Sequence, residues 1–427
     1  MKRLIIPEQA AYRQIRKRNA VADADLQFAV VEIMEAVAKQ GDEALRFYNE
    51  RFDDYIGDLK LDPKQIDEAE ALIEEKLKEA IDRAYLNIYK YHKAQERAVE
   101  RITTSKGIEC WREARAIEAV GLYVPGGTAP LFSTVLMLGI PSQIAGNPKR
   151  VLCSPAGKDG EIHPAILYAA KKCGIREIFK VGGAQAIAAL SFGTESIPKV
   201  DKVFGPGNSY VTEAKRQALA YGLAIDMPAG PSEVLVIADE KAEARVVAAD
   251  LLSQAEHGPD SQVILISNSE NFLDEVDGEL RSLLRNLPRS AFALSALQQS
   301  YSIYFPNLEQ AFECSNFYAP EHLILNLDNA EKWISKVKRA GSVFLGPFAA
   351  ESMGDYASGT NHTLPTAAFA RNYSGLSLES FQTQISFQNI NKEGLADLGP
   401  SVSLMARAEG LEAHALAVEI RLKNERI

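Results

Sequence analysis

G-L-Y-V-P-G-G, residues 121–127, decides how this chain folds. A short apolar run is cut off by proline and two glycines, and a segment of helical length and composition follows at 131–144. The same unit returns three times: V-L-C-S-P from Val151, E-I-F-K-V-G-G from Glu177 and K-V-F-G-P-G-N from Lys202. Helical segments stand after them at 162–173, 184–190 and 209–221. Strands that alternate with helices build a mainly parallel sheet covered on both faces.

Working outward, a second alternating series opens with P-A-G-P-S-E-V-L-V-I-A-D at 228–239. It continues through S-Q-V-I-L-I-S at 261–267 and H-L-I-L-N-L at 322–327 to S-V-F-L-G-P-F at 342–348. The proline and glycine cluster at 227–231 is the most turn-rich point between the two series and is read as a domain junction. The first hundred residues read as helix, starting near Asp25 and again over 66–92, where Ile73, Leu77, Ile81, Tyr85 and Ile88 form one stripe. His92 extends that stripe without an acidic or thiol neighbour at ligand spacing and reads as structural. Beyond about Ala370 the alternation fades, and 401–423 reads as a helix that needs a packing partner elsewhere. The expected fold class is α/β, with two Rossmann-like parallel-sheet units, an N-terminal helical segment and a C-terminal helical tail.

Composition narrows the functions. A net charge of −10 opposes binding to a polyanion, which draws on Lys and Arg to release counterions, so nucleic acid is not expected as a partner. Cys110, Cys153, Cys173 and Cys314 are scattered, with no C-x-x-C pair, which fits a reducing compartment and excludes a cysteine-rich zinc site. The apolar run of M-K-R-L-I-I-P stops too early for a signal peptide or membrane span, so a cytoplasmic protein is expected.

The chemistry concentrates in a few loops. L-L-S-Q-A-E-H-G-P-D, residues 251–260, ends a helix with Gln254 and His257 one turn apart, and Gly258 and Pro259 supply the stop. A cation held there by an imidazole nitrogen and an amide oxygen would gain from the negative end of the helix dipole, although a histidine in a last turn also serves as a cap. E-H at Glu321 and His322 sits at the end of a strand and offers two groups for general acid–base work if burial raises the carboxyl pKa. G-D-Y-A-S-G-T-N-H brings Asp355 and His362 in a glycine-punctuated loop; Asp355 there either joins Gln254 and His257 as a ligand of Zn²⁺ or makes an Asx turn. No G-x-G-x-x-G follows a strand. V-P-G-G-T, V-G-G-A-Q and G-P-G-N-S-Y are either short βα turns or cradles in which helix N-termini receive a pyrophosphate.

Five ordered motifs together resemble the histidinol dehydrogenase family: Q-A-E-H-G-P-D-S-Q-V, F-G-P-G-N-S-Y-V-T-E-A-K, D-M-P-A-G-P-S-E-V, Y-A-P-E-H-L and G-D-Y-A-S-G-T-N-H-T-L-P-T. The likeness spans nearly the whole chain. It implies oxidation of L-histidinol to L-histidine by two NAD⁺ in a zinc-dependent homodimer whose C-terminal tails are swapped. Zn²⁺ would be bound by Gln254, His257 and Asp355 of one subunit and His414 of the other. Ser232, His322, Asp355, His362, Glu409 and His414 would line the substrate site with the metal ligands, Glu321 and His322 would be catalytic, and Tyr123, Gln185 and Asn208 would contact NAD. The implied domains are an arm at 1–22, a first α/β domain from 23–122 and 232–376, an NAD-binding α/β domain at 123–231 and a tail at 377–427. The rivals are a zinc hydrolase or deaminase using the same ligands around an activated water, and a non-catalytic α/β binding protein.

Overall fold

Parallel strands buried on both faces should carry apolar residues at every position rather than at alternate ones. The computed structural model shows such strands at the centre of two sheets. It describes residues 1–16, 24–126, 130–157, 159–228 and 230–424. Gly127 of the opening run, Ala229 of the turn cluster, residues 17–23 and residues 425–427 lie outside the described residues.

In chain order the strands are β1 (Lys2–Ile5), β2 (Ile102–Ser105), β3 (Ile108–Ala116), β4 (Ala119–Tyr123), β5 (Lys149–Ser154), β6 (Glu177–Lys180), β7 (Lys202–Phe204), β8 (Ala224–Ile225), β9 (Glu233–Ala238), β10 (Gln262–Ser267), β11 (Tyr301–Tyr304), β12 (His322–Asn326), β13 (Ser342–Leu345) and β14 (Gln382–Ile390). Two sheets are wholly parallel: a five-stranded one in the order β6-β5-β4-β7-β8 and a six-stranded one in the order β1-β11-β10-β9-β12-β13. The α/β reading with two parallel-sheet units holds. In each sheet the chain first steps outward on one side of a central strand and then returns to the other, so strand order reverses between β4 and β7 and between β9 and β12. Crevices form at such reversals.

Period-two alternation explains how β9 is covered. Val234, Val236 and Ala238 join a core with Val247, Leu251 and Ala255 of the helix Ala244–Ala255. Leu235 and Ile237 face the other way, into a core with Phe312 and Tyr318 of the helix Leu308–Tyr318. Every residue of β9 is buried. The five-stranded sheet is sandwiched in the same way, with the almost wholly apolar helices Phe132–Ala145 and Gly183–Phe192 on its faces.

Several elements differ from the reading by periodicity. β1 and β11 add two strands to one edge of the six-stranded sheet. The expected helix at 66–92 is broken into Pro63–Glu68, a 3₁₀ turn Ala69–Leu72 and Glu75–Lys93, because Ile73 is extended (φ −110°, ψ 139°). No Gly or Pro marks that break. The terminal helix is likewise two helices, Lys392–Ala408 and Glu412–Lys423. Gly410 (φ 77°) ends the first: its N–H donates to the Arg407 carbonyl at 2.9 Å and the Leu411 N–H to the Ala406 carbonyl at 2.8 Å. Those are the two bonds of a Schellman motif.

The chain divides into two units, Met1–Ala94 with Ile117–Phe381, and Gln95–Ala116 with Gln382–Ile427. In the second, β14 pairs antiparallel with β3 over its full nine residues, β2 flanks β3, and Trp111 stacks on Phe387 at 5.5 Å. Its two helices leave Leu404, Met405, Leu416 and Ile420 exposed. Among the described residues no helix is long and apolar enough to cross a membrane.

Candidate active site

Two stretches that hold β9 and β12 also hold the titratable groups. The Glu233 N–H donates to Glu321 Oε2 at 2.8 Å, and the Glu321 N–H donates to Glu233 Oε2 at 3.3 Å, so each strand is tied to the carboxylate at the start of its neighbour. Glu233 Oε1 also accepts from the Ala367 N–H. Both carboxylates are buried. This cluster lies at the amino ends of β9 and β12, because the helix after β9 runs back and delivers its C-terminus there.

That helix end brings Gln254 and His257. Gln254 is buried in the last turn, and the His257 N–H bonds the Gln254 carbonyl at 3.3 Å. The side-chain amide atom of Gln254 that lies 2.7 Å from Glu351 Oε1 and 2.9 Å from His322 Nδ1 is its nitrogen, as donor, when Nδ1 is bare, and its oxygen when Nδ1 and Glu351 carry protons; in the first orientation Gln254 donates to Glu351 Oε1. The amide oxygen is then free of those acceptors and is the atom a cation would take.

His322 is the hub. Its Nδ1 lies 3.1 Å from the Glu233 carbonyl, which can only accept, so the contact is a hydrogen bond in the state where Nδ1 carries the proton and the Gln254 oxygen faces it. Nδ1 is also 3.8 Å from Glu321 Oε2 and 3.8 Å from Glu351 Oε1, while Nε2 stands 3.6 Å from Asp355 Oδ1. Nε2 is buried with no hydrogen-bond partner. Burial alone would lower the pKa of His322, but the carboxylates of Glu351, Glu321 and Asp355 overturn that and raise it. Burial pushes Glu321 up to about 7 against the opposing charge of His322. Burial likewise raises Glu351. Asp355 goes the other way: burial opposes ionisation, yet its contact with His322 and the nearby His362 and His257 hold it below the usual carboxylate range. Neighbouring acids pushed in opposite directions are a signature of functional clusters.

His257, Glu351 and Asp355 each offer one ligand atom, all within 4.8 Å of one another. With the Gln254 oxygen beside them the donor set is mixed N and O, which suits a borderline divalent ion such as zinc. His362 bonds the Asp355 carbonyl through Nδ1 at 2.8 Å and meets Thr134 Oγ at 3.3 Å through Nε2. Both ring nitrogens are thus engaged by protein. The carbonyl fixes the proton on Nδ1, and the ring braces the loop that carries Asp355. Ser232 directly precedes β9, and its carbonyl accepts from the Gln262 N–H at 3.1 Å. Glu351 and Glu233 stand in the cluster although no motif singled them out. Glu351 lies one helical turn before Asp355, the only signal that could have found it. Glu409 and His414 belong to the second unit, where they are exposed at and just after the turn between its two helices.

The expected dinucleotide residues meet elsewhere. Tyr123, Gln185 and Asn208 line one cavity of about 1140 Å³ at the carboxyl ends of β4 and β7 and the helix that follows β6. Tyr123 ends β4, and its hydroxyl accepts from the Gly183 N–H at 3.1 Å. Asn208 caps the helix Ser209–Ala218 through the Val211 N–H at 3.1 Å. Gln185 is buried with neither side-chain polar atom bonded. The helix Gly183–Phe192 has no side-chain cap, which leaves its positive end open to an anion. Gly205 (φ 127°) makes the closure possible, since a Cβ there would lie 2.0 Å from the Tyr123 carbonyl oxygen.

The sequence pattern of the histidinol dehydrogenase family matches residues 16–422. "Histidinol dehydrogenase" of Bacteroides thetaiotaomicron is 49% identical over 423 residues, covering 99% of each chain. "Histidinol dehydrogenase, chloroplastic" of Arabidopsis thaliana is 51% identical over 402 residues, covering 93% of this chain and 86% of its own. A crystal structure of histidinol dehydrogenase from Elizabethkingia anophelis superposes with a TM-score of 0.96 at 51% identity, over 99% of this chain and 98% of that one. On this agreement of sequence and backbone, the chain belongs to the histidinol dehydrogenase family.

Proposed function

We propose that this protein oxidises L-histidinol through histidinal to L-histidine, passing two hydrides to two NAD⁺ in the last step of histidine biosynthesis. Its family makes it an oxidoreductase acting on histidinol. One observation carries the chemical assignment: His322 has one nitrogen held by a backbone carbonyl and the other buried and unpartnered beside Asp355. That is the posture of a general base once Nε2 has given up its proton, and the carboxylates that raise the pKa of the ring strengthen its pull on the alcohol proton. His322 takes the alcohol proton as hydride leaves the carbinol carbon. Water then adds to the aldehyde and gives its proton to Glu321, whose pKa near 7 lets it ionise and accept in the same range. The second hydride leaves the hydrated aldehyde, and the carboxylate of histidine results. Keeping histidinal bound avoids release of a reactive intermediate.

We assign Gln254, His257 and Asp355, with the partner subunit's His414, as ligands of a zinc ion. A zinc ion held there would supply a Lewis-acidic anchor for the nitrogens of the substrate, so that orientation would precede chemistry. Glu351 orients Gln254 and counters the charge of His322. Ser232 and His362 complete the substrate side of this subunit, and Glu409 with His414 would come from the other subunit of a homodimer. The exposed Leu404, Met405, Leu416 and Ile420 support an apolar interface on that unit. Residues 123–231 form the NAD-binding region, with Tyr123, Gln185 and Asn208 as contacts. Four unpaired cysteines support a cytoplasmic location.

Histidinol, NAD⁺ and zinc-replete enzyme should give two NADH per histidinol consumed, and exhaustive chelation should abolish the signal until zinc is returned. Product formation without NADH would favour a zinc hydrolase and refute the assignment.

A further inference from the structure

The buried carboxylate of Glu233 has no part in the proton transfers of the proposed reaction, yet the site closes around it. Glu233 opens β9, and the pairing of Val234 with His322 sets it beside Glu321. Its Oε2 accepts from the Glu321 N–H at 3.3 Å and its Oε1 from the Ala367 N–H, while its own N–H donates to Glu321 Oε2 at 2.8 Å. On the far side of Glu321 the Ser342 N–H donates to the Glu321 carbonyl at 2.9 Å, and a Cβ on Gly341 would come within 2.6 Å of that oxygen. Glu321 is therefore gripped at its N–H, its carboxylate and its carbonyl. Of these three grips only the first comes from a side chain.

The contact with Ala367 holds a costly turn. Ala367 and Ala368 are both left-handed (φ 51° and 65°), a conformation that persists in residues with a Cβ only where the surroundings over-determine it. Glu233 supplies one restraint, and the Thr366 hydroxyl supplies another by accepting from the Gly230 N–H. The same carboxylate thus ties this turn to the entries of β9 and β12. Folding alone does not favour an acid there, because a second buried carboxylate beside Glu321 adds like-charge repulsion that an amide would spare. What only a carboxylate offers is two acceptors aimed at two N–H groups at once; the amide of a glutamine would turn its own donor on one of them.

We infer that Glu233 is a positioning residue for the aldehyde half of the reaction: its carboxylate fixes the backbone of Glu321 against the turn at Ala367, and so aims the Glu321 carboxylate at the water that adds to histidinal. This rests on the reading of Glu321 as the group that takes the proton of that water. Glu233 acts through Glu321 and takes no proton itself. Its backbone carbonyl, 3.1 Å from His322 Nδ1, stays when the side chain is changed, so the alcohol half is spared.

The test compares the full-length enzyme as wild type, Glu233→Ala, Glu233→Gln, Glu321→Gln and the double variant Glu233→Gln with Glu321→Gln. It measures kcat and KM with histidinal, the first NADH formed in a single turnover with histidinol, and the thermal midpoint. Misplacing one reacting group costs up to about 10²-fold, and glutamine keeps one of the two acceptors. The kcat on histidinal should therefore fall about 10- to 100-fold in Glu233→Ala and about 3- to 10-fold in Glu233→Gln, with KM and the rate of the first NADH within about threefold. Because Glu233 acts through Glu321, its substitution should cost less than about twofold more once Glu321→Gln is present. A carboxylate that only holds the fold would lower both half-reactions together, in step with the thermal midpoint, and its effect would multiply in the double variant. Either result would overturn the inference, as would insoluble protein from both Glu233 variants. Glu321→Gln separates the two levels: if it impairs histidinal oxidation while the Glu233 variants do not, the positioning inference alone fails; if it oxidises histidinal like wild type, the reading of Glu321 fails and takes the inference with it.

Discussion

Replacing His322 by Asn keeps a polar side chain but removes Nε2, the atom proposed to accept the alcohol proton. Nδ1 is committed to the Glu233 carbonyl at 3.1 Å, so the base must be Nε2, and the nearest carboxylate to it is Asp355 at 3.6 Å. Asp355 is held below the usual carboxylate range and is a poor substitute. Glu321 and Glu351 approach Nδ1, on the opposite side of the ring. A positioned general base contributes about 10²- to 10⁴-fold, and with no second base facing Nε2 the loss should fall in the upper part of that range, about 10³-fold or more. That equals roughly 4 kcal/mol or more of barrier. The assay follows NADH absorbance with histidinol and, separately, with histidinal, alongside zinc content by elemental analysis. His322→Asn should lose its activity on histidinol, oxidise histidinal within about tenfold of wild type, and retain its zinc. His257→Asn should lose zinc instead. Equal losses on alcohol and aldehyde, or equal zinc loss in the two variants, would refute the division of labour.

Three more expectations test other levels of the structure. Glu321→Gln should leave the first hydride transfer nearly intact and stall the second, so that single-turnover mixtures accumulate bound aldehyde; a stall before the first NADH would refute the role of water activator. Gly205→Ala drives a Cβ into the Tyr123 carbonyl and should raise the KM for NAD or lower soluble yield, and an unchanged KM in folded protein would show that the turn yields more easily than its geometry implies. His92 is buried among apolar neighbours with Nε2 at 3.3 Å from Asn361, and burial lowers its pKa from 6.5 to about 4. A depressed histidine stabilises the fold fully above pH 6.5, and that contribution is lost as pH falls through about 4, because the unfolded chain takes the proton first. Between pH 7 and pH 5 wild type should therefore lose about 2 kcal/mol more than His92→Leu in urea titrations, and parallel pH curves would rule this out.

Much of the architecture was legible because parallel strands announce themselves: V-L-V-I-A and V-I-L-I are apolar at every position, and the runs of the first series end in glycine or proline. β1 and β11 escaped notice because K-R-L-I and Y-S-I-Y mix polar with apolar residues, as edge and near-edge strands do. The break at Ile73 was invisible because A-E-A-L-I-E-E-K contains only helix-compatible residues, and tertiary packing overrides local preference there. At the site, Gln254, His257, Glu321, His322, Asp355 and His362 were readable from their loop contexts. Glu233 and Glu351 were not, since a single glutamate at the start of a strand or in a short helix has no distinctive spacing. Their importance is three-dimensional: one fastens two strands by exchange with Glu321, and the other lies against both Gln254 and His322.

The pairing of β3 with β14 has a consequence for how the protein is made. Residues 108–116 leave the ribosome long before their partner 382–390. Until then one edge of the β2–β3 hairpin has unsatisfied backbone groups and the apolar faces of Trp111 and Ile108 have no Phe387 or Ile390 to meet. The nascent chain thus carries a sticky ribbon through most of its elongation, and nonsense fragments ending before residue 382 should accumulate in aggregates or on chaperones even when both parallel sheets have formed.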